Sequence, residues 1–284
     1  MKPARFSYRR PSSLAEAVAL LAEHNTEATI LAGGQSLMPM LNLRFARPSV
    51  LIDIKRLPGL ADIRLEDDAV VVGALARHVE VANAPVIRDH VPLIHSAMPH
   101  VAHAAVRNRG TFGGSLALAD PAAEMPACCA ALDARIALVS SAGERVVAAR
   151  DFFRGVYDTA IEPGEMIAAV RIPRYAADWR WHFDEASRRH GDFAIAGVAL
   201  GMRIDNGVIA ECRLAFCGVE TFPRRLSAVE QALTGLSTTD QTALAAAGLL
   251  ADVIEPMESA EYPPAYRVAV AAGLLRRAIA KVTA

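Results

Sequence analysis

Two glycine pairs dominate the chemistry available to this chain. One lies in Ala32-Gly33-Gly34-Gln35-Ser36-Leu37, after the apolar approach Ile30-Leu31. The other lies in Thr111-Phe112-Gly113-Gly114-Ser115-Leu116, after Arg107-Asn108-Arg109-Gly110. Glycine admits left-handed backbone angles and lets a ligand approach the main chain. Successive N–H groups in such a turn form a concavity that suits an anion. Two such turns, far apart in sequence, predict one ligand carrying two phosphates.

The flanking residues admit two readings each. The first pair could be a tight strand-to-helix connection; Gln35 and Ser36 add polar groups where a helix N-terminus would meet an anion. After the second pair comes Asp120-Pro121-Ala122-Ala123-Glu124. Its carboxylates could accept hydrogen bonds from ribose or ribityl hydroxyls. Alternatively, Asp120 caps a helix over 122–132 with Pro121 in its first position. Arg107 and Arg109 suit a pyrophosphate, or pair with surface acids. His95, His100 and His103 lack clean metal spacing. Arg188 to Phe193 is either a plain turn or the border of a cofactor or partner surface.

Other chemistry is excluded by what is missing. There is no Gly-x-Gly-x-x-Gly and no P-loop, so neither phosphate-binding fingerprint is present. No Gly-x-Ser-x-Gly or His-Glu-x-x-His occurs. Four cysteines (128, 129, 212 and 217) form no Cys-x-x-Cys, which argues against a cluster or structural zinc held by this chain. The net charge of −1 over 284 residues offers no footprint for nucleic acid. The start of the chain has no apolar run of signal length, and no run is long enough to span a bilayer. A cytoplasmic protein is the expectation.

The elements needed to position these residues can be read in three blocks. The first is β-α-β-α-β. Its first helix starts at a Ser13/Glu16 capping box and ends near Asn25, a strand runs over 29–31, a helix over 36–45, and a strand over 50–54. The second begins after Pro58-Gly59. It contains a hairpin over 63–72, helices near 77–82, 92–105 and 122–132, and strands over 135–139 and 166–172. After a linker at 173–178, strands over 179–187, 194–204 and 208–217 form an antiparallel meander. Asn206-Gly207 marks its last turn. Helices follow from Leu226, the last over 264–281.

At this point the residues resemble a known family, the FAD-binding medium subunits of molybdenum hydroxylases, including those of carbon monoxide dehydrogenase and the FAD region of xanthine dehydrogenase. The resemblance rests on residues 32–37, 107–115 and 120–126, on Phe183 to Ala194, and on Ser259-Ala260-Glu261-Tyr262 with Arg267 to Arg277 as the final helix. It spans nearly the whole chain in order. It implies an α+β fold: a two-lobed FAD-binding domain of the vanillyl-alcohol-oxidase type plus a C-terminal domain of a three-stranded antiparallel sheet with helices. The lobes would be residues 1–57 and 58–176, and the C-terminal domain 177–284.

By the same resemblance, Ala32, Gly33, Gly34, Gln35, Ser36 and Leu37 would cradle the pyrophosphate of FAD. Thr111, Gly113, Gly114 and Ser115 would do so from the other lobe. Asp120 and Glu124 would lie near ribityl or ribose hydroxyls, and Ile167 would line the flavin. Asp184 stands where relatives carry lysine. No residue of this chain would be catalytic in the substrate's oxidation. Partner subunits would carry [2Fe-2S] clusters (small) and molybdopterin cytosine dinucleotide (large), in a dimer of heterotrimers. Electrons would pass to the FAD and on to an external acceptor. A self-sufficient flavin oxidase or reductase of the same fold is the alternative. It would need its own substrate pocket, and no histidine lies beside the first glycine pair to tether a flavin. A scaffold that has lost FAD is a third reading, opposed by the intact glycines.

Overall fold

A computed structural model describes residues 2–283. The N-terminal block is β1 (Ser7–Arg9), α1 (Leu14–His24), β2 (Ala28–Leu31), α2 (Leu37–Asn42) and β3 (Val50–Asp53). Its sheet is parallel, in the order β1-β3-β2. Helix α1 buries Ala17, Val18 and Leu21 against Val50, Ile52 and Ile54. That spacing is one face of an amphipathic helix. The Ser13 hydroxyl accepts from the Glu16 N–H at 3.1 Å, but the Glu16 carboxylate is taken by Ser12. The cap is therefore one-sided rather than a box. Helix α2 is shorter than the predicted 36–45, because Arg44 turns the chain with φ 62°.

The second block opens with the hairpin β4 (Ile63–Leu65) and β5 (Ala69–Gly73). Six helices follow: α3 (His78–Asn83), α4 (Pro85–His90), α5 (Pro92–Ala97), α6 (Ala104–Arg107), α7 (Phe112–Leu118) and α8 (Glu124–Ala131). Strands β6 (Arg135–Ser140) and β7 (Gly143–Ala148) come next, then α9 (Ala149–Phe152), β8 (Phe153–Gly155), β9 (Asp158–Thr159) and β10 (Met166–Pro173). The five-stranded antiparallel sheet has the order β4-β5-β10-β6-β7. The predicted helix over 92–105 is two helices. The chain breaks at Ala102, where φ is 42°, a conformation that costs a non-glycine residue energy.

The third block is the meander β11 (Trp179–Ala186), β12 (Ala196–Asp205) and β13 (Val208–Cys217), followed by α10 (Ser227–Leu233), α11 (Asp240–Val253) and α12 (Pro264–Thr283). Residues 259–262 precede α12 rather than belonging to it. Asn206 and Gly207 both have positive φ, 48° and 78°, as the primed hairpin turn requires. Side chains alternate along the strands. Val198, Leu200, Met202, Leu214 and Phe216 pack on the three helices. Ala199, Ala215 and Cys217 face the other way and join the core of the second block. These small residues let α8 lie close against the sheet, and all eight of its residues are buried. The four cysteines are buried and unpaired. Among the described residues no helix is long and apolar enough to cross a membrane.

Candidate functional site

The strand β2 delivers the chain into the loop 32–36, and α2 carries it away. Gly34 has φ 75°, in the left-handed region glycine favours. Gly33 meets the second glycine segment directly: a Cβ there would lie 2.3 Å from the Arg109 carbonyl oxygen and 2.8 Å from the Gly110 Cα. The N–H groups of Gly33, Gly34, Gln35 and Ser36 make no hydrogen bond to another described residue. Four consecutive unsatisfied donors are a demand for an acceptor, and their concavity favours an anion. The Gln35 side chain bonds back to the Gly33 carbonyl at 3.2 Å and braces the loop.

The second glycine pair is a different device from the one expected. Gly113 and Gly114 are not a turn; they lie inside α7, capped by Thr111. The Gly113 N–H goes to the Ala74 carbonyl and that of Ser115 to the Thr111 carbonyl. The Gly114 N–H goes to the Thr111 hydroxyl at 3.1 Å. The donors at the helix start are thus taken by Thr111 and by Ala74 of the neighbouring segment. At the cavity these three N–H groups are already taken, whereas those of the first loop are open.

Asp120 does not cap a helix. Its Oδ1 accepts from the Ala122 N–H at 2.9 Å and its Oδ2 from the Tyr157 hydroxyl at 3.3 Å. The next helix begins only at Glu124, with Ala123 before it and no side-chain cap. A short-range turn bond of this kind is what aspartate offers in place of helix.

All thirteen residues that the resemblance assigns to the cofactor line one cavity of about 960 Å³. That is the upper end of the range for small-molecule sites, about 300–1,000 Å³. Residues 32–37 form one wall, and Thr111, Gly113, Gly114 and Ser115 another. Asp120 and Glu124 stand beyond them, and Ile167 closes an apolar side. Gly191, Asp192 and Phe193, in the turn before β12, border the same space. Arg107 does not reach out to a ligand; its guanidinium donates to the carbonyls of Val101 and Ala102 at 2.9 and 2.6 Å. Asp184 is absent from the lining and pairs with Arg277 at 2.8 Å. Among the described residues no cluster could hold a metal ion. His78, which also lines the cavity, went unremarked in the sequence, where it sits in an ordinary helical run.

Glu124 is 8% exposed and makes no hydrogen bond to another described side chain. Burial pushes its pKa up to about 7, with Asp120 adding to the effect. Across the contact between α8 and the C-terminal sheet stands Glu185, whose Oε2 is buried without a partner. Burial, then Glu124 and Asp184, raise it to about 8, opposed by the Ser187 hydroxyl. A carboxyl raised in the fold binds more protons there than in the unfolded chain. The stability it contributes is complete below its ordinary pKa of 4.5 and is lost as pH climbs to about 8. Glu185→Gln should therefore match the wild-type apoprotein near pH 4.5 and exceed it at pH 8.5. The expected gap is on the order of 1 kcal/mol, about 2–4 °C in Tm. Parallel melting curves across that range would show this reading of Glu185 to be wrong.

The cavity fits a dinucleotide: a row of open N–H donors for the diphosphate, carboxyls for hydroxyls, and an apolar wall for a ring. Comparison with known proteins agrees. Residues 4–175 match the family model described as the FAD binding domain in molybdopterin dehydrogenase, and residues 181–282 match the CO dehydrogenase flavoprotein C-terminal domain. The chain is 38% identical over 282 residues to caffeine dehydrogenase subunit beta of Pseudomonas sp. strain CBB1, covering 99% of this chain and 96% of that one. It is 37% identical over 279 residues to the carbon monoxide dehydrogenase medium chain of Hydrogenophaga pseudoflava, covering 98% and 97%. A solved carbon monoxide dehydrogenase from that organism, lacking the Mo-pyranopterin moiety of its molybdenum cofactor, superposes with a TM-score of 0.96 at 39% identity, covering 99% of this chain and 98% of the matched chain. With both domain families matched in order and whole-length relatives at this identity, the chain belongs to the FAD-binding medium subunits of the molybdenum hydroxylases, a family of oxidoreductase components.

Proposed function

We propose that this chain holds FAD in the cavity between residues 32–37 and 111–124 and serves as the electron-transfer subunit of a heterotrimeric molybdenum hydroxylase. The observation that carries the proposal is the row of open N–H groups at Gly33 to Ser36, set against the second glycine segment. Those groups bind the diphosphate. Asp120 and Glu124 accept from ribityl or ribose hydroxyls, and Ile167 excludes water from one side. Thr111, Gly113, Gly114 and Ser115 shape the opposite wall. Residues 1–57 and 58–176 act as the two FAD-binding lobes, and 177–284 as the domain that closes over them.

The FAD supplies the redox chemistry, taking electrons from [2Fe-2S] clusters of a small subunit and passing them to an external acceptor. A large subunit carries molybdopterin cytosine dinucleotide and oxidises the substrate, and the assembly is a dimer of heterotrimers. This division of labour is supported by the matches of residues 4–175 and 181–282 to the FAD binding domain in molybdopterin dehydrogenase and the CO dehydrogenase flavoprotein C-terminal domain. It is supported too by relatives that are named as medium chains or subunits of dehydrogenases.

Affinity capture from native cells, with a visible spectrum and metal analysis, tests the reading. The expected result is flavin, iron and molybdenum with one smaller and one larger chain. Flavin with no partner would replace the proposal with a self-sufficient flavoenzyme. Absence of flavin would remove the function altogether.

A further inference from the structure

His78 is the first residue of α3, held in place by its N–H, which donates to the Gly110 carbonyl at 2.9 Å. The neighbouring Arg77 and Thr111 form an isolated antiparallel bridge. The ring stands beside Gly110: a Cβ placed on that glycine would lie 3.0 Å from Cδ2 and 3.5 Å from Nε2. Gly110 is also where the first glycine loop packs, since a Cβ on Gly33 would be 2.8 Å from its Cα. His78 therefore sits at the seam between the two glycine segments. It is 4% exposed, and what it borders is the cavity.

Its Nδ1 is fully buried and has no partner. Burial, reinforced by Arg107, lowers its pKa to about 4, so the ring is neutral near pH 7. A neutral imidazole carries one N–H and one bare nitrogen. A proton on Nδ1 would strand a buried donor with no acceptor, which folded proteins avoid. The favoured tautomer places the proton on Nε2, the nitrogen on the Gly110 edge. The fold thus presents one uncharged donor at the junction where the open N–H groups of residues 33–36 also gather.

We propose that His78 is a further binding residue for the dinucleotide, donating Nε2–H to an oxygen of its diphosphate. This rests on the FAD reading above. The contact adds a donor without adding positive charge, which distinguishes it from an arginine at the same place. The Nδ1 side remains unpartnered, and its burial fixes the tautomer.

The test is titration of FAD-stripped full-length protein with FAD, followed by flavin fluorescence, for the wild type and His78→Phe. Loss of one hydrogen bond to a charged group should weaken binding roughly 10- to 100-fold. The ³¹P signals of bound FAD should also differ between the two proteins. Should the phenylalanine variant fail to fold, [¹⁵N]histidine spectra of the wild type decide. One ring, identified by its absence in His78→Gln, should be the neutral Nε2–H tautomer and should shift when FAD is added. Equal affinity in both proteins, or a ring that ignores FAD, overturns the assignment of His78 while leaving FAD binding intact. A wild type that binds no FAD overturns the functional reading and this contact with it.

Discussion

Gly33→Val is expected to purify without flavin. The native residue is in contact with the opposite glycine segment, and a Cβ would intrude to 2.3 Å from the Arg109 carbonyl oxygen. That neighbour is backbone, pinned by the hydrogen bonds of Arg109 and Gly110 to the Val106 carbonyl. It cannot swing aside as a flexible side chain would. The loop must move, and with it the N–H groups of residues 33–36. Losing several anion contacts at once should lower FAD affinity at least 100-fold, about 2.7 kcal/mol. Flavin content per chain and a fluorescence titration measure this. Circular dichroism on the same sample separates lost binding from lost folding. A folded variant with full flavin occupancy would show that the diphosphate lies elsewhere.

Glu230→Ala should cause the largest loss of stability. Glu230 is 5% exposed. It accepts from the Leu214 N–H at 2.8 Å and from Arg225 Nε at 2.9 Å, and it pairs with Arg225 Nη2 as well. The same guanidinium reaches both carboxylate oxygens of Asp133, at 3.0 and 2.8 Å, just after α8. The triad therefore joins the C-terminal helices to the second block. Alanine leaves the buried Leu214 N–H without its acceptor and the Arg225 Nε and Nη2 groups unpaired, with Asp133 alone holding the guanidinium. Breaking a buried pair from one side typically costs about 3–5 kcal/mol. Urea denaturation should show a loss near 3 kcal/mol, with Glu230→Gln less affected because it keeps an acceptor for Leu214. A loss under about 1 kcal/mol would mean that water already solvates the triad.

Much of this was legible in the sequence, for identifiable reasons. Asn206-Gly207 reports its own turn because few other dipeptides take two positive φ angles. The helix after Ser13 follows from local capping and a one-sided apolar stripe. The sequence could not distinguish the two glycine pairs. Whether a Gly-Gly is a turn or the start of a helix depends on Ala74 and Thr111, which take the N–H groups of Gly113 to Ser115. Asp120 left two readings open for a similar reason: Asx turns and helix caps use the same residue type. Strands β7 to β9 went unrecognised because 143–159 is short, mostly exposed and polar, so no period-2 pattern stands out. His78 gave no local signal at all. Its interest comes from tertiary neighbours, Gly110 above all, that lie about thirty residues further along the chain.

The cavity wall draws on the chain from Ala28 through Thr111, Glu124 and Ile167 to Phe193. Those points are distant in sequence and come from all three blocks. A ligand held there acts like a removable cross-link, tying chain segments that would otherwise separate on opening. Unlike a disulfide, its strength is set by concentration: stability rises by about 2.7 kcal/mol when free ligand stands at 100 times Kd. The supply of dinucleotide would then govern how long each newly made chain survives, quite apart from any electron it carries.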